Sequence, residues 1–167
     1  IKDISVGMGS DERIGGRFLR AGPAYGGSCF PKDTRALINT ANQFKTDLSI
    51  VKSVVKSNNK RKILLTKRLE NILNNKLKNK VITFLGVTFK PNTDDMREAS
   101  SIPMIKYLNK NSSKIRYHDP SGEKKEFKKL KNVKYYKDIP SACLNSDLIV
   151  LHTEWNDFRL LNFKKLV

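Results

Sequence analysis

The sequence predicts an α/β protein in which a helical segment precedes a parallel β-sheet domain. Apolar residues recur every three to four positions over 34–43 and 50–73, which is the period of amphipathic helices. Apolar runs at 81–87 and 147–152 alternate with further helical patterns, which is typical of parallel strands covered on both faces. The polar, basic stretch 74–80 is the only break in composition, so we expect a domain boundary there.

We expect a first domain over residues 1–78 and a Rossmann-like domain over residues 79–167. The second domain is predicted to contain a strand over 81–87, a helix over 100–109, a strand over 114–118, a turn over 119–122, a short strand over 134–136, a helix over 139–145, a strand over 147–152 and the start of a helix over 158–167. No closing strand follows, so the predicted sheet is incomplete.

Charge and composition limit the partners that we expect. The chain has 33 Lys and Arg against 16 Asp and Glu, and this net charge of +17 raises the idea of a nucleic-acid partner. The excess is spread over short lysine runs, so solvated faces are the simpler interpretation, and we predict no nucleic-acid partner. No apolar run approaches the roughly 18 residues of a membrane span, and no signal peptide is recognisable. Cys29 and Cys143 fit neither a metal site nor a disulfide framework, which predicts a reducing cytoplasm; a disulfide between them is the alternative.

The segment with the clearest chemical character is 18–33. Residues 22–27 contain three glycines, which let the backbone approach a ligand closely. Pro31 suits the first turn of a helix, and this places Cys29 at a helix N-terminus, where unpaired N–H groups favour a thiolate. Asp33 follows one helical turn later. The competing interpretation is a glycine turn that ends in an inert, buried cysteine.

A second charged loop, residues 86–98, follows the first predicted strand. Loops at the C-terminal ends of parallel strands are where such folds bind nucleotides. Lys90 and Arg97 each offer a cation for a phosphate, and three acidic side chains are placed to orient them: Asp94, Asp95 and Glu98. Taken alone, this would be an ordinary charged loop.

Together these two segments resemble the paired signature of the UDP-glucose and GDP-mannose dehydrogenase family. The form Gly-Pro-x-Tyr-Gly-Gly-Ser-Cys-Phe-Pro-Lys-Asp at 22–33 is similar to the UDP-glucose branch, and Thr-Glu-Trp at 153–155 also resembles the family. The resemblance covers essentially the whole chain. It implies that residues 1–78 are the end of a helical dimerisation domain and residues 79–167 most of a UDP-binding domain. Two positions depart from the pattern: Ala24 replaces a common Gly, which would strain a positive φ, and Ser100 replaces a common Pro, which is expected to be harmless.

The resemblance implies an NAD-dependent oxidation of UDP-glucose to UDP-glucuronate, in two hydride transfers through a thiohemiacetal and a thioester. Cys29 matches the nucleophile, and Asp33 matches the aspartate that assists water activation. Eight positions match substrate contacts: Arg13, which reaches the neighbouring subunit's substrate in a dimer, and Phe18, Leu19, Arg20, Tyr25, Gly26, Phe89 and Lys90. Three match NAD contacts: Cys29, Lys32 and Arg97. Local ion pairs are the alternative for Arg13, Lys32 and Arg97.

Other chemically interesting residues are given structural roles. A turn role is favoured over ribose binding for Asp119, and His152 is expected to end a strand. Cys143 is expected to pack in the core, and Trp155 to anchor a loop.

The family's NAD-binding domain has no recognisable counterpart in the sequence. Gly7-Met8-Gly9 is a poor dinucleotide fingerprint, because a charged segment precedes it and no glycine follows at position 12. We therefore expect a fragment that is inactive alone, with NAD bound by an upstream domain or a separate polypeptide. Three hypotheses stay open: part of an active dehydrogenase for UDP-glucose or a related sugar nucleotide, a non-catalytic remnant that at most binds sugar nucleotide, and a basic nucleic-acid-binding module.

Overall fold

The computed structural model gives the structure of residues 1–16, 19 and 21–166 and confirms the α/β prediction. Three helices come first: α1 (Lys2–Gly9), α2 (Cys29–Gln43) and α3 (Ser49–Ile72). Strands and helices then alternate: β1 (Val81–Leu85), α4 (Ser101–Lys110), β2 (Lys114–His118), β3 (Val133–Tyr135), α5 (Ile139–Cys143) and β4 (Leu148–Leu151). Two 3₁₀ turns follow, at Asn156–Phe158 and Phe163–Lys165.

The four strands form one parallel sheet with the order β3-β2-β1-β4. β1 lies between two neighbours, and its residues Ile82, Phe84 and Leu85 are completely buried. Because the strands are parallel, the loops that follow β1 and β4 leave the sheet at the same edge. The segments at 86–98 and 152–155 therefore meet, as ligand sites of such folds require.

The larger part of the core lies between the sheet and helices α3 and α4. Ile105 and Leu108 of α4 are fully buried there, and Leu65 and Leu69 of α3, with Leu73 just after it, pack in the same cluster. Burial of one such side chain stabilises the fold by about 1.5–3 kcal/mol. The C-terminal half of α3 is thus held on the sheet domain, while its N-terminal half extends toward the cysteine loop.

The structure differs from the sequence predictions mainly at the ends of elements. β1 ends at Leu85 rather than at residue 87, because Gly86 has φ of +74°. The helix predicted over 158–167 is wrong, since residues 158–166 contain the end of one 3₁₀ turn, Asn156–Phe158, and a second 3₁₀ turn, Phe163–Lys165. Helix α1 was not predicted; its apolar side chains are exposed and give no clear helical period. Among the described residues, no helix combines the length and the apolar character that a membrane span requires.

Candidate active site

The cysteine loop, residues 21–28, packs directly on the nucleotide loop, residues 86–98. The Gly27 N–H donates a hydrogen bond to the Arg97 carbonyl at 2.7 Å. A Cβ on Gly26 would lie 2.7 Å from the Glu98 carbonyl oxygen, and one on Gly27 would lie 2.9 Å from the Phe89 ring. The two glycines are therefore required for this contact. The two motifs that the sequence singled out are neighbours in space.

Helix α3 holds the cysteine loop from the other side. The Asn58 amide accepts from the Tyr25 N–H at 2.9 Å and donates to the Tyr25 carbonyl at 3.1 Å. Arg61 Nε donates to the Pro23 carbonyl at 2.6 Å. Sequence analysis missed both side chains; an asparagine inside an amphipathic helix, where its propensity is poor, was the available signal. Ala24 is not among the residues with positive φ, so this departure from the family pattern strains nothing.

Cys29 is exposed and is the first residue of α2, as predicted. Its Sγ lies 3.5 Å from the Ser28 hydroxyl. Lys32 forms an ion pair with Asp33 at 2.9 Å, which raises the pKa of Lys32, and a charge on Cys29 adds a smaller increase. Asp33 lies four residues after Cys29, on the same face of the helix. The thiol thus has a helix N-terminus, a cation and a carboxylate around it.

Arg97 supplies a second cation close to Cys29. Its guanidinium pairs with Asp95, with Nε–Oδ1 at 3.0 Å and Nη2–Oδ2 at 2.9 Å. The hydrogen bond between these side chains raises the pKa of Arg97 and lowers the pKa of Asp95. The charge of Cys29 makes a smaller contribution to the increase for Arg97. The pair with Asp95 is the local ion pair that the sequence analysis named as the alternative for Arg97, and the part of Asp95 in orienting Arg97 toward a phosphate stays a prediction. Lys90 lies with its Nζ 5.4 Å from the centroid of the Phe89 ring.

Glu98 connects the nucleotide loop to two helices. Its carboxylate pairs with Arg35 of α2 at 2.6 Å and with the largely buried Lys62 of α3 at 3.0 Å. The hydrogen bond from Arg35, and then that from Lys62, lower the pKa of Glu98. Its backbone has φ of +56°, a conformation that side chains rarely adopt. The prediction that Glu98 orients Lys90 or Arg97 is wrong; it holds the helix of Cys29 against α3.

A cleft of about 1550 Å³ opens between the two loops, α3 and the end of β4. Among the described residues, its charged lining consists of three cations and a single carboxylate: Arg61, Arg68, Lys90 and Glu154. Such a surface suits an elongated ligand with negative charge. A smaller cleft of about 540 Å³ beside β3 contains none of the predicted site residues.

Comparison with known protein families identifies the family of this chain. Residues 83–167 match the UDP-binding domain of the UDP-glucose/GDP-mannose dehydrogenase family, and residues 1–60 match its central domain. The chain belongs to this family. The earlier assignment from the two motifs is confirmed.

Individual relatives agree with this assignment over nearly the whole chain. The UDP-glucose 6-dehydrogenase of Rickettsia typhi is 42% identical over 168 residues, which cover 99% of this chain and 39% of the relative. The UDP-glucose 6-dehydrogenase of Bacillus subtilis is 42% identical over 160 residues, covering 95% of this chain and 36% of the relative. A UDP-glucose dehydrogenase structure from Pyrobaculum islandicum superimposes with a TM-score of 0.85 at 30% identity, over 96% of this chain and 37% of that one. The chain thus spans less than two fifths of each.

The other predicted family positions occupy different surroundings. Arg13 is exposed and forms a two-bond pair with Asp11, with Nε–Oδ1 at 3.0 Å and Nη2–Oδ2 at 2.5 Å. This is the local ion pair that sequence analysis named as the alternative. Leu19 is half-buried, and Phe18 and Arg20 lie outside the described residues.

Asp119 lies beneath the nucleotide loop and is completely buried. It accepts a hydrogen bond from the Ser121 N–H at 3.0 Å, which confirms its turn role. It also accepts from the Val87 N–H at 2.7 Å and forms an ion pair with Lys124 at 3.6 Å. The acid therefore supports the backbone just after β1, a role that its sequence position did not reveal.

Proposed function

We propose that this chain supplies the cysteine loop and the nucleotide-binding half of an NAD-dependent UDP-glucose 6-dehydrogenase. One observation carries this proposal: a cysteine at a helix N-terminus lies on a loop that packs, through Gly26 and Gly27, on the nucleotide loop of a Rossmann-like sheet. The cysteine loop and the nucleotide loop thus border one cleft. Membership of the family and the names of the relatives support this choice of reaction.

The cleft has the chemistry that a UDP-sugar needs. We assign the diphosphate to its cations, with Lys90 and the loop at Tyr25 and Gly26 as the principal contacts. Phe89, which packs on the cysteine loop, borders the same site. Placing UDP at the end of β1 brings the hexose toward Cys29. We also assign substrate contacts to Phe18, Leu19 and Arg20 on the family pattern.

Cys29 acts as the nucleophile in the proposed reaction. Its thiolate attacks the C6 aldehyde and forms a C–S bond, so the aldehyde stays on the enzyme as a thiohemiacetal. Loss of hydride from that carbon leaves a thioester, and attack by water releases the carboxylate and regenerates the thiol. Asp33, on the same helix face, accepts the proton of that water. The helix N-terminus and the nearby Lys32 place positive charge beside the Cys29 sulfur.

NAD, when bound, accepts the hydride in each oxidation. The residues present fit such a cofactor, because Lys32 and Arg97 are exposed cations near Cys29, suited to its phosphates. In this proposal Lys32 leaves its ion pair with Asp33, and Arg97 leaves its ion pair with Asp95, to bind the cofactor. The dinucleotide fold itself is assigned to residues outside 1–167, in the same or a separate polypeptide.

We place the boundary between the helical and the UDP-binding domain at residues 78 and 79. The helical part is proposed to pair with a second subunit, and Arg13 to reach the substrate of that subunit in place of Asp11. The enzyme is proposed to work in the cytoplasm, where its free cysteines stay reduced.

Calorimetric titration of the 167-residue chain with UDP and UDP-glucose tests the binding half of this proposal. We expect saturable binding that Lys90→Ala weakens about tenfold, the loss of one charge-assisted contact. Lys134→Ala, which removes a lysine outside the cleft, is the matched control. Equal affinities for both variants would contradict the assigned site. Steeply salt-dependent binding of DNA that UDP does not displace would instead indicate a nucleic-acid-binding module.

Measurement of turnover tests the catalytic part of the proposed function. When a polypeptide with the family's NAD-binding domain is supplied, UDP-glucose should be oxidised with formation of NADH, and Cys29→Ser should abolish this activity. Because the chain spans only 39% of its Rickettsia relative, a non-catalytic sugar-nucleotide binder is the second candidate. UDP-glucose binding with no turnover in the complemented system would support that candidate, and faster turnover of another UDP-sugar would change the substrate.

A further inference from the structure

A row of buried polar side chains connects the start of α4 to the nucleotide loop. Ser100 Oγ lies 2.8 Å from His152 Nε2, and His152 Nδ1 lies 3.0 Å from Thr153 Oγ1. The Thr153 hydroxyl then donates to the Thr88 carbonyl at 2.7 Å. All four residues are buried, with exposures of 8% or less. Because water does not reach these groups freely, each of them depends on its protein partner for a hydrogen bond.

The hydrogen atoms give this row a direction. Thr153 has one hydroxyl hydrogen, and the Thr88 carbonyl only accepts, so His152 has to donate its Nδ1–H to Thr153. A neutral imidazole donates from one nitrogen only, so Nε2 accepts from the Ser100 hydroxyl. Burial lowers the pKa of His152 to about 4, although the Asp119 carboxylate opposes this, so the ring is neutral near pH 7.

Thr88 is the point at which this row reaches the site. Its N–H lies 3.4 Å from Asp119 Oδ2, and its hydroxyl donates to the Lys90 carbonyl at 2.9 Å. Its carbonyl accepts from Thr153, so the N–H, the hydroxyl and the carbonyl of Thr88 all have polar partners. The next residue, Phe89, contacts Gly27 of the cysteine loop. The placement of Thr88 therefore decides where Phe89 and Lys90 are presented.

We propose that His152 is a positioning residue for the nucleotide site, which holds Phe89 and Lys90 in place through Thr153 and Thr88. The inference rests on the proposed function, because it takes Lys90 as a contact of UDP. His152 itself lines the cleft, but we assign its effect to Thr153 and Thr88. It selects the direction of the Thr153 hydroxyl, and Ser100 selects the tautomer of His152.

Two amide substitutions of His152 separate positioning from space filling. His152→Asn places an amide near Nδ1 and keeps a donor for Thr153, whereas His152→Gln places its amide near Nε2 and keeps only the contact with Ser100. Both are neutral and polar. We expect His152→Gln to weaken UDP binding about tenfold and to raise hydrogen exchange of the amides at 87–90 about tenfold, the effect of losing one buried bond. His152→Asn should stay within about twofold of wild type in both measurements.

The possible outcomes of this experiment distinguish failure of the His152 role from failure of the proposed function. If His152→Asn and His152→Gln change exchange and affinity equally, or not at all, His152 has no positioning role. If the wild-type chain binds no UDP, the proposed function fails, and hydrogen exchange in the unliganded chain still decides the role of His152. Imidazole ¹⁵N shifts give an independent check, since an Nε2–H tautomer would overturn the inference.

A second pair of variants tests the proposal if the His152 variants fail to fold. Thr153→Ser keeps the bridging hydroxyl, and Thr153→Val removes it at nearly constant volume. We expect Thr153→Val, but not Thr153→Ser, to reproduce the effects of His152→Gln on exchange and on UDP affinity. Equal behaviour of these two variants would also overturn the proposal. Circular dichroism and melting temperatures establish which variants are folded.

Discussion

The nucleotide loop and the cysteine loop border the same cleft, yet they are held in different ways. The nucleotide loop follows a largely buried strand, and its backbone is bonded to buried side chains of Asp119 and Thr153. Among the described residues, the hydrogen bonds that hold the cysteine loop come from Asn58, Arg61 and the backbone of the nucleotide loop. Cys29, which follows this loop, is exposed.

This difference shows which half of the site organises the other. The sheet domain can hold residues 87 and 88 in place without α2 and α3, because the supporting bonds come from residues that follow β2 and β4 and from Ser101 at the start of α4. The cysteine loop takes its position from the nucleotide loop and from α3. A rigid half and a dependent half are a useful arrangement when a nucleophile has to remain accessible to substrate and water.

The largest expected difference between the two regions lies in the reactivity of their thiols. Cys29 is exposed, whereas Cys143 is completely buried in the sheet domain, and burial raises the pKa of Cys143. We expect iodoacetamide to modify Cys29 about 5,000-fold faster, because Cys143 reacts only through unfolding at about 5 kcal/mol. Mass spectrometry of the native chain measures both rates. In denaturant the two rates should converge; similar rates in the native chain would contradict the comparison.

Glycine-to-alanine substitutions test the rigidity of each loop. Gly86→Ala, at φ of +74° and with its Cβ 2.6 Å from Thr153 Cβ, should lower the free energy of unfolding by about 3 kcal/mol. Gly27→Ala, at φ of +87° and against the Phe89 ring, should lower it by only about 1 kcal/mol, because the dependent loop can move.

Chemical denaturation measures both values. Gly7→Ala is the matched control, since a Cβ there meets nothing within 4 Å inside α1, and it should raise stability by roughly 0.5–1 kcal/mol. A larger loss for Gly27→Ala than for Gly86→Ala would reverse the assignment of rigid and dependent halves.

Acid should weaken the sheet domain through His152. The pKa of this buried ring is lowered from 6.5 to about 4, so between these values the unfolded chain binds the proton and the folded chain does not. Stability from this group is complete above pH 6.5 and falls as the pH decreases toward 4, with a loss of about 2 kcal/mol by pH 5. Urea titrations at pH 7 and pH 5 measure it. His152→Asn should flatten this dependence, and an unchanged slope would assign the acid sensitivity to other groups.

The smallest effect is expected where the two regions are joined. Glu98→Gln weakens the pairs with Arg35 and Lys62 and should lower the free energy of unfolding by about 1 kcal/mol, because the group is partly exposed. Glu123→Gln, which affects only a surface pair with Lys128, is the control and should change it by less than about 0.5 kcal/mol. Equal losses for both variants would show that Glu98 makes no connection of consequence.

Sequence reasoning was most successful where a local pattern directly reflects the physical cause. Apolar runs predicted the parallel sheet, and Pro31 together with the glycines predicted Cys29 at a helix N-terminus. Helix α1 escaped because its apolar residues are exposed and lack a clear period. Glu98 was assigned to the wrong partners because its true partners, Arg35 and Lys62, are far away in sequence.

Local chemistry therefore determined the family, the helix start at Cys29 and the sheet from the sequence by itself, since strand burial, glycine conformation and helix starts depend on neighbouring residues. Tertiary structure alone decided how these parts support one another. Ser100 was expected to be harmless, yet folding places its hydroxyl 2.8 Å from His152, across 52 positions of the chain. Asn58 meets Tyr25 across 33 positions. Such bonds join residues whose separation in sequence carries no periodic signal, and they exist only once the sheet and α3 have packed.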